Sequence, residues 1–188
     1  LPIYFELLSR EFAHTRRKNL LLRDLDELVN QQLAKMLFAN PQRIDYYDRY
    51  QEIIDAYNAE QNRATIEKTF MDLMELASSL DTEQQRYVRE GFSSDEELSV
   101  YDLLFSENLT KQEIETIKKV SVDLLTKIKQ QIAKLDHWTD KQETKAIVDN
   151  LIRNTLWQEL PNSYDVSDIQ TYQKKIYEYV YMRYPEVA

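Results

Sequence analysis

The sequence contains no cysteine, one glycine and four prolines among 188 residues. Without cysteine there can be no disulfides and no thiolate metal sites, which fits a reducing compartment. Turns of β-hairpins depend on glycine and similar residues, so this composition excludes a β-rich fold. No apolar run approaches the ~20 residues of a membrane-spanning helix, and no signal peptide is visible. We therefore expect an all-α, cytoplasmic protein with no membrane association.

The residues needed for catalysis are also scarce. A phosphate-binding loop needs closely spaced glycines followed by Lys-Ser/Thr, which a single glycine cannot supply. The two histidines, His14 and His137, lie far apart, and no nucleophile–base arrangement or metal-ligand spacing accompanies them. Glu143-Thr144-Lys145 matches the Glu-x-Lys of metal-dependent nucleases, but it lies within a predicted helix. The sequence predicts no catalytic, cofactor-binding or metal-binding residue on this segment.

Charge is distributed unevenly along the chain. The net charge is −9, and residues 81–115 hold ten acidic residues against three basic ones. We call residues 81–115 the acidic zone. Overall acidity disfavours tight, nonspecific binding of nucleic acid, although a local basic face remains compatible with it.

Apolar residues recur every three or four positions along most of the chain, which indicates amphipathic helices. We predict an irregular bundle of about seven or eight helices in two packed halves, the first helix beginning at Ile3. The sequence has no initiating methionine and opens within a helical pattern, so we expect a fragment of a larger protein.

Gly91 marks the predicted boundary between the halves. Glycine reaches left-handed backbone angles without steric penalty and therefore favours a helix end. Ser94 then occupies an N-cap position, and Glu97 is its expected capping-box partner. The sequence predicts one helical domain over residues 1–90 and a C-terminal helical domain over residues 91–188.

A stripe of lysines lies along the helix that begins at Thr110, where Glu113 completes a second capping box. At ~100° per residue, the lysines fall opposite the apolar side. Only Asp123 is expected among them, so this face is predicted to be positive. It is either a solvated surface or a contact for DNA or a protein partner. The lysine stripe consists of Lys118, Lys119, Lys127, Lys129 and Lys134.

Two smaller basic groups complete the candidate contacts for DNA or a partner. Arg16, Arg17 and Lys18 form either an ordinary helix junction or a contact for an anion or phosphate. Lys174 and Lys175 are expected on the outer side of the last helix.

Trp138 and Trp157 are the two tryptophans of the chain. Large aromatic side chains contribute most when they are buried. We expect both of them in the core or at helix joints, the alternative being a role in recognition of a partner.

Four motifs occur in a distinctive order. They are Asn62-Arg-Ala-Thr-Ile-Glu67 with Leu73-Met-Glu-Leu-Ala77, then Gly91-Phe-Ser-Ser-Asp-Glu-Glu-Leu-Ser-Val-Tyr-Asp-Leu-Leu104, then Asp136-His-Trp138 with Lys145, Val148 and Ile152, and finally Leu160-Pro-Asn-Ser-Tyr164. Together they resemble the C-terminal helical region of the motor/restriction subunit of type I restriction-modification enzymes. Lys145 departs from this pattern, which more often has arginine, so a bidentate guanidinium contact is not implied there.

The resemblance implies a large parent with an N-terminal nuclease domain and two ATP-driven helicase-like domains. Such a parent translocates double-stranded DNA past a methyltransferase core of modification and specificity subunits and then cuts it. ATP and Mg²⁺ would belong to the parent's other domains, with no cofactor on this segment. The helical end would support the motor, dock on the core and flank the DNA path. The alternative is a purely structural domain that buttresses the motor and binds neither partner nor DNA.

Overall fold

The computed structural model describes residues 5–185, which form nine α-helices and no strand. The predicted all-α fold is confirmed, and the single turn at Arg86–Arg89 makes the count higher than seven or eight. The predicted helix start at Ile3 lies outside the described residues. The helices are α1 (Phe5–His14), α2 (Lys18–Ala39), α3 (Ile44–Ala59), α4 (Arg63–Gln84), α5 (Arg86–Arg89), α6 (Asp95–Leu104), α7 (Lys111–Ile132), α8 (Gln142–Glu159) and α9 (Val166–Arg183).

The chain divides into two compact units, Leu1–Gln85 and Arg86–Ala188. The division follows Gln85, whereas the sequence places the boundary after Glu90. Whether the halves are independent domains stays a prediction. None of the helices in residues 5–185 has both the length and the apolar character needed to cross a bilayer.

The first unit is built on α4, which packs against both α2 and α3. The apolar stripe of α2 is fully buried, as its three-to-four-residue spacing indicates. From α1, Phe12 stacks on Phe70 of α4 with ring centroids 3.7 Å apart. The buried stripe of α2 consists of Leu22, Leu25, Val29, Leu33 and Met36.

A buried ion pair closes this unit near its C-terminal end. Pro41–Arg43 forms a turn of 3-10 helix after α2, and the Asn40 side chain accepts a hydrogen bond from the Gln42 amide. Arg43 Nε lies 3.0 Å from Glu83 Oε1, with the two side chains only 3% and 8% exposed. No sequence pattern indicates this pair, because its members are 40 positions apart.

In the second unit, the turn at Gly91 follows α5, and the Gly91 φ of +84° confirms the predicted left-handed helix end. The Phe92 amide donates a hydrogen bond to the Tyr87 carbonyl at 2.9 Å. Ser94 caps α6 as predicted, but the Glu97 carboxylate accepts from the Ser93 amide at 2.7 Å. The reciprocal half of the box is therefore shifted by one residue. The box of Thr110 and Glu113 at α7 is confirmed.

The core of the second unit lies among α6, α7, α8 and α9. Trp138 is 1% exposed within it, as expected. The expectation for Trp157 is wrong, because this side chain is 51% exposed. Helix α8 buries Val148, Ile152 and Leu156, and Trp157 is rotated ~100° from Leu156 towards solvent.

Tyrosines with buried side chains in both units are expected to make stability depend on alkaline pH. Burial, followed by the hydrogen bond to Asp26, raises the pKa of Tyr50 above its ordinary 10.0. Burial likewise raises the pKa of Tyr164, whose hydroxyl donates to the Leu104 carbonyl at 2.7 Å. Because the folded pKa exceeds the unfolded one, this stability is complete below pH 10 and is lost as pH rises above it.

We therefore expect the helices to unfold as pH rises above 10, with tyrosinate forming in the same transition. Circular dichroism and tyrosinate absorbance along one pH titration check this expectation. In a Tyr50→Phe variant, stability should depend less steeply on pH above 10. Titration of all tyrosines at their ordinary pKa with the helices intact would contradict the expectation.

Candidate helix surfaces

The lysine stripe of α7 is largely neutralised by acidic residues from elsewhere in the second unit. Lys118 Nζ lies 3.1 Å from Glu90 Oε2 and donates to the Glu90 carbonyl at 2.9 Å. Lys129 forms an ion pair with Glu96 of α6. The prediction that only Asp123 faces these lysines is wrong, because the turn before α6 and α6 itself pack their carboxylates against α7.

Lys127 is held between two carboxylates. Its ammonium lies 2.5 Å from Asp123 and 2.6 Å from Glu159, at the end of α8. Hydrogen bonds to Asp123 and then Glu159 raise the pKa of Lys127, so the ammonium stays charged but compensated. Lys119 and Lys134 are exposed, and no carboxylate in residues 5–185 pairs with either.

The acidic zone is correspondingly less negative than its sequence indicates. Besides pairing with lysines, its acids serve local structure: Asp102 forms a two-pronged contact with the Arg86 guanidinium, and Glu113 caps α7. The acidic zone and the lysine stripe, predicted as separate surfaces, therefore meet in two ion pairs, Glu90 with Lys118 and Glu96 with Lys129.

All the other predicted basic residues except Lys18 lie on exposed positions. On α9, Lys174 is 4.0 Å from Glu178, and Lys175 lies over the Tyr172 ring at 5.6 Å. Arg16, Arg17 and Lys18 lie in the first unit, at the junction of α1 and α2. Arg16 and Arg17 are exposed, whereas Lys18 is only 22% exposed and bonds Glu67.

Residues of the four motifs fix helix ends and long-range contacts. Asn62 caps α4 by accepting from the Thr65 amide at 2.9 Å. The Trp138 indole N–H donates to the Tyr184 carbonyl at 2.6 Å. Tyr164 bonds the last turn of α6, and Lys145 lies 5.9 Å from the Tyr181 ring centroid. These residues specify how the helices end and pack.

Residues 5–185 contain no cluster of three or more His, Asp or Glu side chains arranged to hold a metal ion.

The structure also exposes a mixed face of α8 that sequence reasoning missed. Ile147 and Trp157 are 42% and 51% exposed, and Arg153 is exposed without an ion-pair partner in the described chain. Placed at ~100° per residue, these side chains fall within about 120° of one another. The helical wheel alone could have indicated this face. We call it the α8 outer face; it consists of Glu143, Ala146, Ile147, Asn150, Arg153, Asn154 and Trp157.

In a comparison with protein-family models, the chain matches the family described as type I restriction enzyme HindI endonuclease subunit-like, C-terminal. The match runs over residues 5–184 and so covers nearly the whole chain. The chain belongs to this family. It is the C-terminal region of a type I restriction enzyme subunit, which confirms the resemblance carried by the four motifs. No curated protein and no solved structure matches it.

Proposed function

We propose that this C-terminal region is an assembly module that docks the endonuclease subunit onto the methyltransferase core of a type I restriction enzyme. In this proposal, the parent translocates and cleaves DNA with ATP and Mg²⁺ bound in its other domains. The region itself contributes a surface for the modification and specificity subunits and takes no part in bond-making.

The α8 outer face supports docking to a protein partner, because its exposed residues are of the types that dominate binding at interfaces. Binding energy at protein interfaces is concentrated in a few residues, with tryptophan and arginine enriched among them. Trp157 and Arg153 are one helical turn apart, Trp157 is half exposed, and Ile147 adds a second apolar side chain. The neighbouring Asn150 and Asn154 supply a polar border with hydrogen-bonding groups. This composition suits a protein partner better than it suits solvent.

DNA contact through the lysine stripe is the less favoured part of the function. Attraction to phosphate depends on releasing counterions from the DNA, which requires cations that are not already neutralised. Lys118, Lys127 and Lys129 are paired within the unit. Lys119 on α7, Lys134 in the turn after α7, and Lys174 and Lys175 on α9 remain as exposed cations.

A purely structural role is the second candidate function. It is favoured by the internal use of charge in the second unit, where ion pairs connect α7 to α6, to α8 and to the turn before α6. Such a module would buttress the motor within its own chain. It predicts that the 188-residue chain binds neither the methyltransferase core nor DNA.

Docking is tested by co-migration of the 188-residue chain with an assembled methyltransferase core in the absence of DNA. We expect the wild-type chain to bind. The double variant Arg153→Ala/Trp157→Ala should bind at least about 30-fold more weakly, as loss of a hot spot does.

The matched control is Lys119→Ala/Val122→Ala, which removes one exposed basic and one exposed apolar side chain from α7. We expect its affinity to stay within about twofold of wild type, since most interface-distant substitutions are neutral. Equal loss in both variants would reject the α8 outer face as the docking surface. Failure of the wild-type chain to bind would favour the buttressing role.

A further inference from the structure

An open concavity of about 660 Å³ lies at the junction of α1 and α2 in the first unit. Its rim carries four basic side chains from two separate segments of the chain. Arg16, Arg17 and Lys18 come from the junction, and Arg63 comes from the first turn of α4. Thr15 and Asn19 add polar groups to the same lining.

The charge around this concavity is unbalanced. Glu67 is the carboxylate that pairs with the group: its Oε1 atom lies 2.6 Å from Lys18 Nζ and 3.3 Å from Arg63 Nε. Within residues 5–185, no carboxylate forms an ion pair with Arg16 or Arg17. Among the described residues, Glu67 therefore pairs with two of the four cations and no carboxylate pairs with the other two, in a chain whose net charge is −9.

The surrounding contacts hold the junction against α4. The Lys18 ammonium lies 5.0 Å from the centroid of the Phe12 ring, which is stacked on Phe70. Hydrogen bonds from Lys18 and Arg63 lower the pKa of Glu67, so its carboxylate stays ionised and keeps both cations in place. The Arg17 amide donates to the Thr15 hydroxyl at 3.0 Å and shapes the turn between the helices.

We infer that this concavity is a binding site for backbone phosphates of double-stranded DNA, with Arg16 and Arg17 as the principal contacts. Guanidinium groups bind phosphate oxygens in a planar, two-pronged geometry. Because the site is open and its arginines are exposed, a phosphate carried on a long polymer can reach it. The lysine stripe differs in that three of its five cations are already paired. DNA binding at this concavity does not depend on docking to the methyltransferase core.

The test compares two double variants of the 188-residue chain, each of which removes two exposed cations. Arg16→Gln/Arg17→Gln alters the concavity, and Lys119→Gln/Lys134→Gln alters the α7 stripe. Binding of a fluorescently labelled DNA duplex is followed by anisotropy over a series of salt concentrations. Unchanged circular dichroism verifies that both variants are folded.

For the arginine variant we expect about tenfold weaker binding at low salt. The slope of log affinity against log salt should also become shallower by roughly 1–2, since each phosphate contact contributes ~0.9. The lysine variant should bind much as wild type does. Equal losses, a larger loss in the lysine variant, or no binding by the wild-type chain at low salt would overturn the inference.

A second arm uses inorganic phosphate alone and follows thermal stability. Stabilisation of the wild-type chain by phosphate that disappears in Arg16→Gln/Arg17→Gln, together with duplex binding, supports the site as inferred. The same stabilisation without any duplex binding would assign the site to a free anion and overturn the assignment to DNA.

Discussion

Replacing Arg43 with alanine is expected to lower the free energy of unfolding of the first unit by about 3–5 kcal/mol. The Arg43 and Glu83 side chains are 3% and 8% exposed, and their nitrogen and oxygen atoms lie 3.0 Å apart. Removing the guanidinium would leave the Glu83 carboxylate in a site with little access to water. Chemical denaturation, followed by circular dichroism, measures the loss.

A matched control is available on α4, the helix that carries Glu83. There Lys68 and Asp72 form an ion pair with their nitrogen and oxygen atoms 2.6 Å apart, and the Lys68 side chain is 74% exposed. Lys68→Ala should cost no more than about 0.5 kcal/mol, because exposed pairs one turn apart contribute little. A double variant, Arg43→Met/Glu83→Leu, should lose less than Arg43→Ala, since no charge is left buried. Similar losses for Arg43→Ala and Lys68→Ala would show that the buried pair has no special role.

Replacing Trp138 with alanine is expected to destabilise the second unit by about 3–5 kcal/mol, the usual cost of truncating a large buried aromatic residue. Trp138 is 1% exposed, and its indole N–H bonds the Tyr184 carbonyl. Its ring meets Tyr177 and Tyr181 edge-on, at centroid distances of 6.1 and 5.7 Å. The substitution would leave a cavity and remove these contacts. Thermal and chemical denaturation measure the effect.

Trp157→Ala is the natural control, because it makes the same substitution in the same unit at a 51% exposed position. Its cost should stay within about 0.5 kcal/mol. Trp157→Ala should nevertheless weaken binding to the methyltransferase core, although the free energy of unfolding stays nearly unchanged. Equal destabilisation by the two substitutions would contradict the different roles assigned to the two tryptophans.

Features set by neighbouring residues could be predicted from the sequence. The positive φ of Gly91 and the capping box of Thr110 and Glu113 depend on a few adjacent positions, and both are present. The buried stripe of α2 follows from helical spacing alone. The predicted bond from the Ser94 amide to the Glu97 carboxylate is replaced by one from the Ser93 amide, because the geometry of the turn decides which amide reaches Glu97.

Features that depend on distant residues could not be predicted. The carboxylates that pair with Lys118, Lys127 and Lys129 lie 28, 32 and 33 positions away in the sequence. The residues of α7 alone therefore predict a positive face that the folded unit partly neutralises. The bond from Tyr164 to Leu104 spans 60 positions. The candidate site follows the same rule. The sequence indicates Arg16 and Arg17 as part of a basic run. The presence of Arg63 beside them and the ion pairs with Glu67 depend on how α4 packs, which the sequence does not indicate.

We propose that this region docks on the methyltransferase core through the mixed α8 outer face, while most of its stripe lysines form ion pairs within the second unit. Binding of the 188-residue chain to the core, without DNA, at low and high salt tests it most directly. We expect the affinity to change by no more than about threefold, because few of the residues on this face are charged. A steep loss of affinity at high salt would contradict it and would mean that charged residues form the docking surface.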